Sequence, residues 1–167
     1  MGKFSVSHTI DCDAERFWKL FLDKAFNEHL YREALGFPAF SILDQREDGD
    51  RVIRKVTGTP KVNMPAPVAK LLGPSFDYTE EATLDRKTGV WRWTMKTSVM
   101  TDKLRQEGSM RIEPIGDKQI RRVADLLIEA KVFGVGGLME SAAEKGLREG
   151  WDQSAVYMNK HLASKQG

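Results

Sequence analysis

The sequence holds one cysteine, three histidines and no apolar run near the ~20 residues that a membrane-crossing helix requires, and each shortage removes a class of protein. Cys12 alone cannot form an intramolecular disulfide, so an ordinary apolar core must hold the 167-residue chain, and one domain of that length can bury such a core. His8, His29 and His161 fall in separate elements without a carboxylate or histidine at ligand spacing, and one cysteine cannot complete a zinc set. No metal and no cofactor is expected. No G-x-S-x-G, Walker loop or Cys-His nucleophile pattern is present, so no catalytic residue is assigned. Gly134-Val135-Gly136-Gly137 falls short of a dinucleotide fingerprint, because Met139 fills the sixth position and no strand follows to make a βαβ unit.

An excess of one charge is also missing. The chain balances 26 Lys and Arg against 24 Asp and Glu, which argues against nucleic acid as a partner. Met1-Gly2-Lys3 leads straight into alternating polar and apolar residues rather than a leader peptide, so a cytoplasmic setting is expected. The balance is uneven along the chain. Residues 1–50 carry six basic and ten acidic residues, whereas 51–75 carry Arg51, Arg54, Lys55, Lys61 and Lys70 with no acid. That window is where an anionic partner or a transient membrane-surface contact is expected.

What is present is strong periodicity. Residues 3–10 alternate strictly, with Phe4, Val6, His8 and Ile10 on one face, which predicts a half-buried strand. Asp11 or Asp13 then caps a helix bearing Phe17, Trp18, Phe21 and Leu22, and Asp23 caps a second that Gly36 and Pro38 stop. Beyond Phe40 the chain reads as hairpins: about 39–47 with 51–58, 76–85 with 90–98, and 104–114 with 118–132. A helix from Gly136 to about Ala163 closes it. The class is α+β, with seven antiparallel strands, two short helices after the first strand and one long C-terminal helix, all in a single domain over 1–167. Ala142, Gly146, Gly150 and Ser154 make a ladder of tiny side chains on the last helix, where two interior glycines cost about 1 kcal/mol each relative to alanine. Close approach of a partner or empty space for a ligand would explain them.

This order resembles the helix-grip fold of the START-like superfamily, also called Bet v 1-like or SRPBCC, over essentially the whole chain. Within it, the pattern is similar to a bacterial family of unknown function and, more distantly, to PRELI-type phospholipid-transfer domains. Three motifs carry the latter likeness: Ser7-His8-Thr9-Ile10 with Phe17-Trp18, the run Met64 to Gly73, and Gly137-Leu138-Met139-Glu140 with Glu144 to Glu149. Val62-Asn63 stands where PRELI domains tend to carry tryptophan-glycine. The resemblance implies a sheet curled around the long helix, a cavity for a hydrophobic molecule, and a mobile lid.

Candidate ligand-binding residues follow from that frame. Pro60–Pro74 is the expected lid, since its prolines bar it from the sheet while Met64, Val68, Leu71 and Leu72 recur at helical spacing. Arg54 shares a strand face with Val52 and Val56 and is placed inward, where a guanidinium would take a carboxylate or phosphate headgroup; a solvent-exposed edge position is the competing reading. Tyr78, Glu80, Trp91, Trp93 and Met95 are the expected walls from the sheet. Met139, Ala143, Leu147 and Trp151 are those from the helix. Arg122 interrupts the apolar face of the last strand and follows the same reasoning as Arg54, with Glu80 as a candidate ion-pair partner. The expected function is binding, sequestration or transfer of a lipid-like or aromatic small molecule. A cofactor-independent cyclase or dehydratase acting on a polyketide-like substrate is one alternative, and it would need an inward acid or base among Glu80, His8 and Tyr78. A protein-interaction domain with a filled core is the other.

Overall fold

The computed structural model describes residues 1–166. Alternation makes β1 (Gly2–Ile10) a strand, and the Asp13 carboxylate accepts from the Arg16 N–H to start α1 (Ala14–Phe21). Asp23 repeats this device for α2 (Lys24–His29), accepting from the Phe26 N–H. The helix then widens into a π turn, Leu30–Ala34, closed by the Leu35 N–H donating to the Leu30 carbonyl at 2.9 Å. Such a turn rotates the side chains beyond it relative to a continuous helix. Tyr31 lies flat on Phe40 there, with ring centroids 4.0 Å apart.

Six more strands follow: β2 (Ala39–Asp48), β3 (Arg51–Thr59), β4 (Tyr78–Asp85), β5 (Val90–Thr97), β6 (Leu104–Gly116) and β7 (Gln119–Ala130). α4 (Gly136–Gln166) ends the described chain. All pairings are antiparallel in the order β1-β7-β6-β5-β4-β3-β2, so the first strand docks beside the last, with Val6 opposite Ala124 and His8 opposite Arg122. Two pairings expected at strand ends do not form. Phe76 and Val132 leave the sheet, and both pack against the apolar cluster of Val68, Leu72 and Met139. Residues 60–74 stay out of the sheet as expected, and they hold one short helix, α3 (Ala66–Leu72), which begins after Pro65 and stops at Gly73 with φ 82°.

The main core lies between the inner sheet face, α1, α2 and the C-terminal half of α4. Ile10, Phe17, Leu84, Trp91, Met110, Ile120, Met158 and Leu162 are its most enclosed members. Two smaller apolar clusters stand apart from it, one around Phe40, Ile42, Val56 and Tyr78, the other joining Val68 and Leu72 of α3 to Met139 of α4. No described helix is long and apolar enough to cross a membrane.

Candidate functional site

Register decides what meets what on the inner face of β3, β4 and β5. One lateral row runs Val56, Glu80, Met95, Gln106; the next runs Arg54, Ala82, Trp93, Gly108; a third runs Val52, Leu84, Trp91, Met110. Arg54 therefore faces a small alanine, and its guanidinium leans onto the third row, 4.5 Å from the Trp91 ring and 4.9 Å from that of Phe21. Its Nη1 donates to the Phe21 carbonyl at 3.1 Å. Arg54 is thus inward, with only 5% of its surface exposed, and the edge-strand reading does not hold.

That lean leaves Glu80 between Val56 and Met95 with no cation within ion-pair distance among the described residues. Burial raises the carboxyl pKa above its ordinary value, against a weaker opposing pull from Arg54. Glu80 is partly accessible in the row between Val56 and Met95, with its carboxyl drawn into an environment that disfavours the charged form. Tyr78 sits one pair along the same strand, its ring lying over Gly58, where a Cβ would come within 2.9 Å of the ring and hydroxyl. Tyr31 belongs to the same charge neighbourhood, and burial followed by the nearby Glu80 carboxylate pushes its phenol up to about 12. Burial likewise holds the Tyr78 phenol well above its usual range.

Arg122 does not pair with Glu80. It is 2% exposed, lies 4.7 Å over the Trp151 ring, and its Nη2 donates to the Trp151 carbonyl at 3.0 Å and to His8 Nδ1 at 3.3 Å. His8 must then donate through Nε2 to Asp152, 2.6 Å away, which ties β1 and β7 to α4. Burial lowers the Arg122 pKa to about 10. His8 accordingly serves as a hydrogen-bonded strut rather than a free base.

The remaining expected residues divide between wall and lid. Trp91 is buried against Phe21, and Trp93 meets Trp151 with ring centroids 5.9 Å apart. The Trp93 ring covers Gly108, where a Cβ would lie 2.6 Å from the Asp125 carbonyl oxygen and closer still to the indole. Met95 packs beside Tyr78. Leu147 and Trp151 are partly buried against the main core, while Val68 and Leu72 of α3 meet Met139 of α4, with Met64 beside them. Leu71 is exposed. So is Ala143, although it lies in line between buried Met139 and half-buried Leu147; on either side of it, Glu140 accepts from the Ala130 N–H and Arg148 lies over the Phe4 ring. A Cβ on Gly146 or Gly150 would meet nothing within 4 Å, so the ladder leaves open space and makes no close approach. Buried Ser154 donates its hydroxyl to the Trp151 carbonyl.

Sequence reasoning did not select Tyr31 or Phe21. Tyr31 does fall on the helical stripe Asn27, Leu30, Ala34, but only the π turn and the long-range stack on Phe40 bring it into the site. Two surface dishes of about 560 and 620 Å³, one on the outer face of β5, β6, β7 and β1 and the other beside α2, lie outside this region. No set of three or more potential metal-binding side chains is grouped among the described residues.

A curved antiparallel sheet gripping a long C-terminal helix, with polar side chains aimed into the interior, defines the START-like helix-grip class. The pattern of the family described as "protein of unknown function (DUF2505)" matches residues 5–162, and the chain belongs to that family. Solved structures share the fold at low identity. A protein of Thermus thermophilus is 17% identical with a TM-score of 0.68, covering 99% of this chain and 100% of its own. The Zhui aromatase/cyclase of Streptomyces sp. R1128 is 11% identical with a TM-score of 0.68, covering 96% and 95%. A START superfamily protein of Mycobacterium smegmatis is 17% identical with a TM-score of 0.60, covering 96% and 98%. No curated protein matches the sequence.

Proposed function

We propose that this domain binds one apolar small molecule, its body between the sheet and α4 and its polar end against Glu80, Tyr78, Tyr31 and Arg54. The observation that carries this is the pair of enclosed guanidinium Nε atoms, of Arg54 and Arg122, to which the protein gives no hydrogen-bond acceptor, beside an inward Glu80 whose charged form is disfavoured. Leaving such a group unsatisfied costs about 1–3 kcal/mol, and folds keep that cost mainly where water, an ion or a ligand completes the bonding. The lid fits an entrance: α3 is fastened by its own apolar cluster and flanked by Pro65 and Gly73. A cytoplasmic carrier or sensor is the role this supports. Native mass spectrometry of protein expressed in bacteria, with thermal shifts against fatty acids, phospholipids and aromatic compounds, tests it. Co-purifying small molecules or stabilisation by one compound class are expected; ligand-free protein with no shift across the panel contradicts it.

One observation favours a second reading. An unpaired inward carboxyl with a raised pKa is what general acid–base chemistry on a carbonyl compound requires. A cyclase or dehydratase would then convert a polyketide-like ketone in a manner abolished by Glu80→Gln without loss of binding. Conversion that survives the substitution, or none in the native protein, removes this reading.

A further inference from the structure

We infer that the ligand's polar end is an acid, a carboxylate or a phosphate, received by the open amino groups of Arg54 and Arg122. This rests on the ligand-binding reading above and names its chemistry. A guanidinium carries five N–H donors in a rigid fork. Arg54 uses one on the Phe21 carbonyl, and Arg122 uses a single amino group on the Trp151 carbonyl and His8. The Nε of each is enclosed without an acceptor, while Nη2 of Arg54 and Nη1 of Arg122 also lack an acceptor but keep accessible surface.

Neither arginine has a carboxylate within ion-pair distance among the described residues: their direct contacts are aromatic faces, backbone carbonyls and the His8 ring, while Glu80 acts on Arg54 and Asp152 on Arg122 only from farther off. Buried charges are normally paired, so two unpaired guanidiniums in one interior call for an anion from outside. Glu80 cannot fill that role. It lies off the axis of Arg54 by one strand row, and its burial favours the protonated form. Tyr31 lies within the electrostatic reach of both arginines, and both guanidiniums are on the inner side of the sheet. A cationic head would add a third like charge there, and a neutral alcohol would leave both arginines uncompensated. A planar fork suits carboxylate and phosphate oxygens alike.

The test compares four probes with the same alkyl chain, each below its micelle concentration: decanoate, decyl phosphate, decanol and decylamine. Binding to the full chain is followed by calorimetry and by tryptophan fluorescence, because Trp91, Trp93 and Trp151 border the site. At least one acid is expected to bind about tenfold or more tighter than decanol, with decylamine weakest; the ranking of decanoate against decyl phosphate separates the two acids. Arg54→Gln and Arg122→Gln are expected to erase the preference for acids while decanol binding stays. The unmodified protein alone decides the matter if a variant does not fold. Equal or tighter binding of decanol or decylamine overturns the acidic head and leaves the small-molecule reading standing. Failure of all four to bind overturns both.

Discussion

Glu80 is isolated by register, because its lateral neighbours Val56 and Met95 offer no donor and Arg54, one row away, turns to Trp91. Folding raises its pKa, so between the ordinary value of 4.5 and the folded value the native state holds a proton that the unfolded chain releases. Stability on this account falls as pH rises through that window and is recovered as pH drops toward 4.5. Glu80→Gln cannot ionise. It is expected to be more stable than the parent at neutral pH, with the difference fading by about pH 4. Urea denaturation at the two pH values checks this, and a variant no more stable at neutral pH contradicts an unpaired, disfavoured carboxylate. At this scale the sequence was informative about direction and silent about pairing. Alternation placed Arg54, Glu80 and Tyr78 on the inner face, yet whether Arg54 and Arg122 met Glu80 depended on side-chain lean and sheet curvature, which no local pattern encodes.

Two elements carry the proposed entry route. α3 is a seven-residue helix held by Val68 and Leu72 against Met139, outside the main core, and Gly73 at φ 82° supplies a hinge. Few buried contacts imply a low local opening free energy. In hydrogen exchange, the amides of 66–73 are expected to exchange well ahead of those in β3 and β4 and to slow when a ligand is bound; protection equal to that of the strands would contradict a lid. The helical spacing of Met64, Val68, Leu71 and Leu72 was legible in the sequence, but the helix itself, Ala66–Leu72, was not among the expected elements. α4 was legible too, although the meaning of its glycines was not, since periodicity cannot separate close approach from empty space. With nothing within 4 Å of either Cβ position, Gly146→Ala and Gly150→Ala should each stabilise the helix by about 1 kcal/mol. Together they should raise the thermal midpoint by roughly 4–8 °C. A lowered midpoint would show that the space beside α4 is occupied.

Across the whole molecule, the pairing of β1 with β7 brings His8 to Arg122 and lets Asp152 of α4 fasten the helix to both. This closure joins residues more than a hundred positions apart, so hairpin signals, which are local, could not reveal it. Apolar side chains are exposed at Leu71 and Phe133, within the acid-free basic run 51–75 and beside Lys131, whose N–H donates to the Lys103 carbonyl. Basic residues around apolar anchors favour anionic lipid surfaces. The protein is expected to float with vesicles containing phosphatidylserine and not with purely zwitterionic ones, and Phe133→Ser is expected to weaken that association. Equal behaviour with both vesicle types contradicts a charged docking face.

The central claim is that the interior beside Glu80 and Arg54 is open to a guest. A crystal structure of the protein grown with a medium-chain fatty acid measures this directly. Continuous density between Met95 and Leu147, ending at an arginine, is the expected result. Trp151, Trp93, Met95 and Tyr31 in unbroken contact, with the fatty acid outside or absent, would contradict it.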